Sequence, residues 1–494
     1  MKRIALLVLV AAAMLIAAGL LLGRGDRSAA YTDDRQAWAD YESGEAMLQA
    51  FRYAEADTML NRAVSRDPGL AMAHIALAEL DLRRGMRKEG LAHVAAADSL
   101  ADLVADADAR LLLQVRLSNL RVSRFHAGRD SLLALAETTA PDDIVVLMAG
   151  AMRATEANDL ATAESRYEHI LEINPNFASA YNFLGYLYLA RGQYDEAETA
   201  MRRYSFVAPD LANPHDSLGD VLAVVGRYEE AEAEYKTALA KQPDFFYSQK
   251  NIAWVYLDRG EVDRSVALME QVLAGIDGTP YAEGLLAEFI DRLFAHRLTP
   301  ELDVYAGRFL ADYPEGSAAP SVRVRRLFAH GETGPAVALI DSTYAIYQKE
   351  PWYGVNLGTT ARVDGRTAMF RALAAEQESR HQDAVRLLRQ ALDVLEDQPE
   401  HYVFSARIQL AYNLIPLGLL DEARLQVRQV LQINPRQPEA VLVAASIEAA
   451  AGQAAEAQRL LDTLDRVLER ADQDFPALVD GQKLRQRLPD PGRI

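Results

Sequence analysis

The sequence predicts an all-α solenoid of stacked helical hairpins, and three observations carry that expectation. Pro141, Pro175, Pro209 and Pro243 stand 34 residues apart each time. Gly192, Gly226 and Gly260 repeat at the same interval, as do Ala163, Ala197 and Ala231, and Tyr194 and Tyr228. Between these markers apolar residues recur at helical spacing. At an average proline usage of about 5%, three successive coincidences arise by chance roughly once in ten thousand. A fixed period of this length marks a repeat architecture, which grows by stacking and needs no single core. It favours a binding surface over an active site.

The clearest unit is Ala178 to Leu211. Tyr181, Leu184, Gly185 and Tyr188 form one apolar helical face, Gly192 and Gln193 punctuate a turn, and Tyr194, Ala197, Met201 and Tyr204 make the stripe of a second helix. Pro209 stops that helix, because proline lacks an N–H and clashes with the preceding turn. Gly185 and Ala197 are small where two helices of a hairpin must approach. Ala212 to Phe245 repeats the pattern with Leu218, Gly219, Gly226, Tyr228, Ala231, Tyr235, Ala238 and Pro243. Ile144 to Phe177 keeps Leu147, Ala163, Tyr167, Ile170 and Pro175; Phe246 to Thr279 keeps Tyr256, Gly260 and Met269 but has Ser265 in place of the alanine. Ala37 to Leu70, Ala71 to Leu103 and Phe404 to Gln437 fit the same frame, while Gly365 to Glu400 and Pro438 to Ala471 fit more loosely.

An aromatic, then Leu-Gly, Tyr, Gly-x-Tyr, Ala, an aromatic and Pro: this order resembles the tetratricopeptide repeat. The resemblance covers most of residues 37–471 and is strongest in the centre. It implies a right-handed superhelix whose first helices line a concave groove, and a protein or peptide as partner. The expected organisation is an amino-terminal anchor or signal peptide (1–30), an array over 37–350 with degenerate hairpins at 104–140 and 280–350, a linker (351–364), a second array (365–471), and a capping helix with its tail (472–494). About twelve hairpins are expected.

In this family the groove positions are the second, fifth, ninth and twelfth of each repeat. Projected here they nominate Asn182 and Tyr186, then Asn213, Asp216 and Asp220, then Tyr247, Lys250 and Trp254 as partner-binding residues. Rings supply contact area and amides pair with a peptide backbone. The same side chains would otherwise serve packing between repeats and ordinary solvation. The carboxylate clamp of heat-shock co-chaperones is matched only at Asn213 and Lys250, with Asn182 and Tyr186 replacing its first pair. A basic or neutral peptide suits Asp216 and Asp220 better than a free carboxyl terminus, because unlike charges attract across a groove.

Composition narrows the function. The net charge is −19, and without residues 1–30 the remainder holds 48 basic and 70 acidic residues, or −22. Such a surface repels nucleic-acid phosphates, and no basic patch with interleaved aromatics is present. With no cysteine, disulfides, thiol catalysis and a lipid-modified amino-terminal cysteine are excluded. There is no phosphate loop, no His-Glu-x-x-His and no Gly-x-Ser-x-Gly. His74 and His93 can face each other across one hairpin, but a packing role is expected rather than a metal site. Asp102, Asp106 and Asp108 lack the glycine and glutamate of a calcium loop. No catalytic residue, metal or cofactor is expected.

The amino terminus bears on location. Lys2 and Arg3 precede Ile4 to Leu22, 19 uncharged residues, or about 28 Å as a helix. That suits an uncleaved anchor with the remainder on the non-cytoplasmic side, in a bacterial periplasm. A cleaved signal ending near Ser28-Ala29-Ala30 is the alternative. The expected function is a non-enzymatic interaction scaffold, tethered to or exported across a membrane. An enzyme acting on glycan or peptide in the solenoid concavity, and a structural part of a larger envelope assembly, stand as alternatives.

Overall fold

The computed structural model describes residues 28–120, 129–349, 357–395 and 400–489. These residues form 26 helices and no strands. After a short helix, Ser28–Tyr31, twelve antiparallel hairpins follow, and Pro476–Arg487 is the final helix. The central hairpins are Ile144–Glu156 with Leu160–Ile173, Ala178–Ala190 with Tyr194–Val207, Asn213–Val224 with Tyr228–Lys241, and Phe246–Asp258 with Val262–Gly275. The expected anchor segment, residues 4–22, lies outside the described residues. Among the described residues no helix is long and apolar enough to cross a membrane.

One backbone feature registers the hairpins. The turn between first and second helix holds a residue in the left-handed region: Phe51, Gly85, Asn158, Gly192, Gly226, Gly260, Arg297, Gly331, Ser379, Gly418 and Gly452. The glycines among them adopt this conformation without steric cost. Five residues beyond each turn the second helix sets a side chain against the first. Ala56, Ala163, Ala197, Ala231, Ala336, Ala384, Ala423 and Ala457 fill that place, all fully buried. Ser265 stands there in the Phe246–Asp258 hairpin and donates from Oγ to the Ala253 carbonyl, 2.8 Å away across the hairpin. The serine therefore keeps the close approach and satisfies its own hydroxyl.

The stretch expected to be degenerate at 280–350 contains two complete hairpins, Pro280–Ala295 with Thr299–Asp312 and Ala319–Ala329 with Thr333–Tyr347. Arg297 and Gly331 keep the 34-residue register between them. The signature was hidden because arginine occupies the first of these turns and leucine, Leu302, takes the alanine place. Residues 357–364, the second half of the expected linker, open the helix Leu357–Gln377; residues 350–356 lie outside the described residues.

The chain divides into two compact units, 1–218 with 240–243, and 219–239 with 244–494. The division falls inside the helix Asn213–Val224 and not at the expected linker. In the first unit, the three opening hairpins share one core around Tyr41, Leu60, Ile75, Leu77 and Leu113. Their first helices are tied by buried ions: Arg116 donates to Tyr41 Oη (2.7 Å) and Glu45 (3.1 Å) and lies 4.0 Å from Glu79, which Arg83 of the same helix also pairs with (3.1 Å). In the second unit one core runs from Ala253 to Val322 and includes Val441, Leu461, Leu464 and Phe475. The last helices therefore return onto the unit's own first hairpins, which no 34-residue pattern predicts.

Candidate interaction surface

Several first helices bury long continuous runs of residues, as expected of a helix covered on more than one side. Ala71 to Asp81 is buried without interruption, and so is Asn251 to Leu257. This decides the fate of the nominated groove residues. In the first unit, Asn182 is 1% exposed, and Asn213 and Asp216 are buried. Asn213 Nδ2 donates to Tyr204 Oη at 3.0 Å, so it joins two helices. Tyr186 is half-buried and donates to Ser217 Oγ at 3.2 Å.

In the second unit, Trp254 is 3% exposed. Its ring lies 5.7 Å from Phe289 and beneath the Arg292 guanidinium, 4.6 Å from the centroid. Asp220 is half-buried and accepts from Tyr235 Oη and Asn251 Nδ2, both at 2.9 Å. Lys250 Nζ donates to Asn251 Oδ1 at 2.9 Å, and Tyr247 packs on Phe245 and Phe246. Four of the eight nominated residues, Asn182, Asn213, Asp216 and Trp254, are thus buried, and Asn213 is hydrogen-bonded within the protein. The physical reason is that apolar first helices bury each other, and a buried amide or carboxylate must find a partner inside the protein.

The first-helix face is more open in the last three hairpins, where the sequence reading nominated nothing. Met369 and Leu373, Ile408 and Tyr412, and Leu442 occupy the fifth and ninth places of their repeats. The first three of these and Leu442 are half-buried, while Tyr412 is 49% exposed. Spacing of four residues sets each pair on one face of its helix. A buried polar link holds two of these helices in register. Asn413 Nδ2 donates to Glu376 Oε2 at 2.6 Å, and its Oδ1 lies 2.9 Å from His381 Nδ1. Burial raises the Glu376 carboxyl, opposed by the Asn413 hydrogen bond. The sequence signal for this stripe is present in the same projection that nominates the central residues, carried on to the last three repeats.

His74 and His93 do meet, Nδ1 to Nδ1 at 3.0 Å, with His74 Nε2 3.1 Å from the Pro68 carbonyl. A carbonyl only accepts, so His74 donates to Pro68 through Nε2. Burial pushes Asp81, beside His93, up to about 6. Among the described residues no group of three or more His, Asp or Glu side chains is arranged to hold a metal.

Stacked hairpins, a 34-residue register and an all-α core define a helical-repeat protein. Residues 154–217 and 217–282 each match the tetratricopeptide repeat family, and the chain carries tetratricopeptide repeats there. No curated protein matches the sequence. Among solved structures, the APC/C hetero-tetramer Cut9-Hcn1 is similar at 12% identity and a TM-score of 0.45, covering 92% of this chain and 84% of that chain. That is a distant likeness of shape.

Proposed function

We propose that this protein is a non-enzymatic scaffold that binds a protein or peptide partner on the first-helix face of its last three hairpins. The observation that carries the reading is the apolar stripe Met369, Leu373, Ile408, Tyr412 and Leu442, left partly uncovered while central first helices are buried. A half-exposed aromatic on the same helix face as an aliphatic residue suits the centre of an interface. Tyr186 in the first unit, and Asp220, Tyr247 and Lys250 in the second, keep enough surface to contribute within their own units. The same chain is proposed to be held at a membrane through residues 4–22, with the repeats on the non-cytoplasmic side of a bacterial envelope. Export after cleavage near residue 30 is the other outcome. Tethering concentrates a partner in the membrane plane, so modest affinity suffices.

The test is crosslinking capture from envelope fractions with wild type, Leu373→Ala/Tyr412→Ala, and Tyr186→Ala/Tyr247→Ala. Loss of a specific partner only with the first pair supports the stripe. Loss only with the second returns the site to the centre. Retention by both sinks the first-helix reading. Recovery of the protein in the carbonate-washed membrane pellet supports an anchor; recovery in the soluble envelope fraction opposes it.

A further inference from the structure

The second unit closes on itself through one seam. On one side stand the hairpin turns at Gly226, Gly260 and Arg297; on the other stands the carboxyl-terminal segment from Asn434 to Asp480. Asn434 Nδ2 donates to Tyr228 Oη at 3.0 Å, and Arg436 Nη2 lies 3.0 Å from Glu229 Oε1. The Asp472 N–H donates to the Gly260 carbonyl at 2.9 Å, and Asp472 Oδ2 accepts from the Asp263 N–H at 3.0 Å. Phe475 is the apolar plug. It packs so closely on Gly260 that a Cβ there would lie 3.0 Å from its ring, and its ring is 5.7 Å from that of His296. His296 fills the centre of the seam, with Nδ1 2.8 Å from Glu439 Oε1 and Nε2 3.3 Å from Asp258 Oδ1. Arg297 pairs with Asp480 at 2.8 Å.

The side-chain character of this contact matters. Adjacent helices of a hairpin share long faces, whereas the seam is joined by side chains and, among the described residues, one backbone hydrogen bond. We infer that residues 434–489 form a proton-dependent clasp: the buried imidazolium of His296, held between Asp258 and Glu439, pins the carboxyl-terminal segment onto the turns of the first hairpins of its unit. This is a conformational device built into the fold. It bears on binding because Leu442 of the proposed stripe lies in the clasp and the rest of the stripe on helices that precede it, and to that extent it rests on the proposed function.

The groups around His296 decide the sign. Glu439 comes from the helix Pro438–Ala450 and Asp258 from Phe246–Asp258. Arg292 on the histidine's own helix sits 3.5 Å from Asp258. Tyr228 lies near both carboxylates, the Arg436 guanidinium sits 5.3 Å from the centroid of its ring, and Arg297 is paired with Asp480. Burial opposes charge on His296, but Glu439 and Asp258 outweigh it and lift the group to about 10. Burial likewise opposes charge on Glu439, and the imidazolium overcomes it and holds the carboxyl below its usual range. Burial raises the Tyr228 phenol, keeping it neutral. An open clasp exposes His296 to water, where its pKa is about 6.5. Closing therefore takes up one proton between about pH 6.5 and 10. The histidine's contribution is whole below 6.5 and lost as pH rises through 10, each unit in the window weakening closure up to about tenfold.

The chain has no cysteine, so Thr237→Cys/Ala455→Cys, both exposed and on opposite sides of the seam, accept spin labels cleanly. Pulsed electron-spin distance measurement on the full chain is expected to give one narrow distance at pH 6.5 and a broadened, longer distribution at pH 10. Glu439→Gln is expected to move that transition to lower pH. A distance unchanged from pH 6.5 to 10 overturns the clasp. So does a His296 imidazole that titrates near 6.5 in nitrogen-resolved NMR of the unmodified protein, a readout that stands even if Glu439→Gln fails to fold. Neither measurement involves a partner, so loss of partner capture with an intact distance profile counts against the stripe and leaves the clasp standing.

Discussion

At Gly219 the first helix of its hairpin runs so close to the second that an added Cβ would sit 2.5 Å from the Tyr235 ring. That ring is buried, and its hydroxyl is held by Asp220, so it has little room to yield. Gly219→Ala is expected to cost about 1–3 kcal/mol through overpacking, measured by denaturant unfolding. Gly275 is the contrast: it ends a helix with nothing within 4 Å of its would-be Cβ. Gly275→Ala is expected to be neutral or to stabilise by about 0.4–1 kcal/mol. Both glycines were visible in the sequence, and only the first had a readable role, because it recurs at the place of Gly185. Ser265 shows the limit of such reading: its departure from alanine looked like decay of the repeat, and its hydrogen bond to Ala253 makes it a working replacement.

The hairpin is the element that the sequence specifies best. Its turn demands one left-handed residue, and where that residue is not glycine the backbone is strained. Ser379 has φ 58° and is exposed; Ser379→Gly is expected to raise stability by about 1 kcal/mol, seen as a higher denaturation midpoint with an unchanged slope. The opening three hairpins carry a different commitment. Glu45, Glu79, Arg83 and Arg116 are all buried, and Arg116 joins first helices of the first and third hairpins. Burial raises the Glu79 carboxyl strongly, opposed by Arg83. Removing one charge strands its partner, so Arg116→Ala is expected to cost about 3–5 kcal/mol. A loss under 1 kcal/mol would show the network to be solvated.

For the whole second unit, closure depends on contacts between residues more than 140 positions apart, such as His296 with Glu439. Phe475→Ala is expected to cost about 3–5 kcal/mol by leaving a cavity between Gly260 and His296. Hydrogen exchange should then rise in both Phe246–Asp258 and Pro476–Arg487; a rise confined to the last helix would mean that the seam does not couple them.

Period, turn glycines and small residues at fixed places are local signals, so the sequence by itself determined the all-α class, the hairpin unit, and tetratricopeptide repeats over the central region. It gave 280–350 as degenerate hairpins without the signature, because Arg297 and Leu302 hold the fold in place of the turn glycine and the alanine. Which face of each first helix meets solvent was decided by tertiary structure. Asn182 and Trp254 occupy groove positions by count, yet neighbouring helices bury them, while Tyr412 at the place equivalent to that of Trp254 in a later repeat stays exposed. The seam was illegible for the same physical reason: a 34-residue repeat encodes contacts between neighbours, and the meeting of His296, Glu439 and Phe475 depends on how small rotations accumulate along the stack.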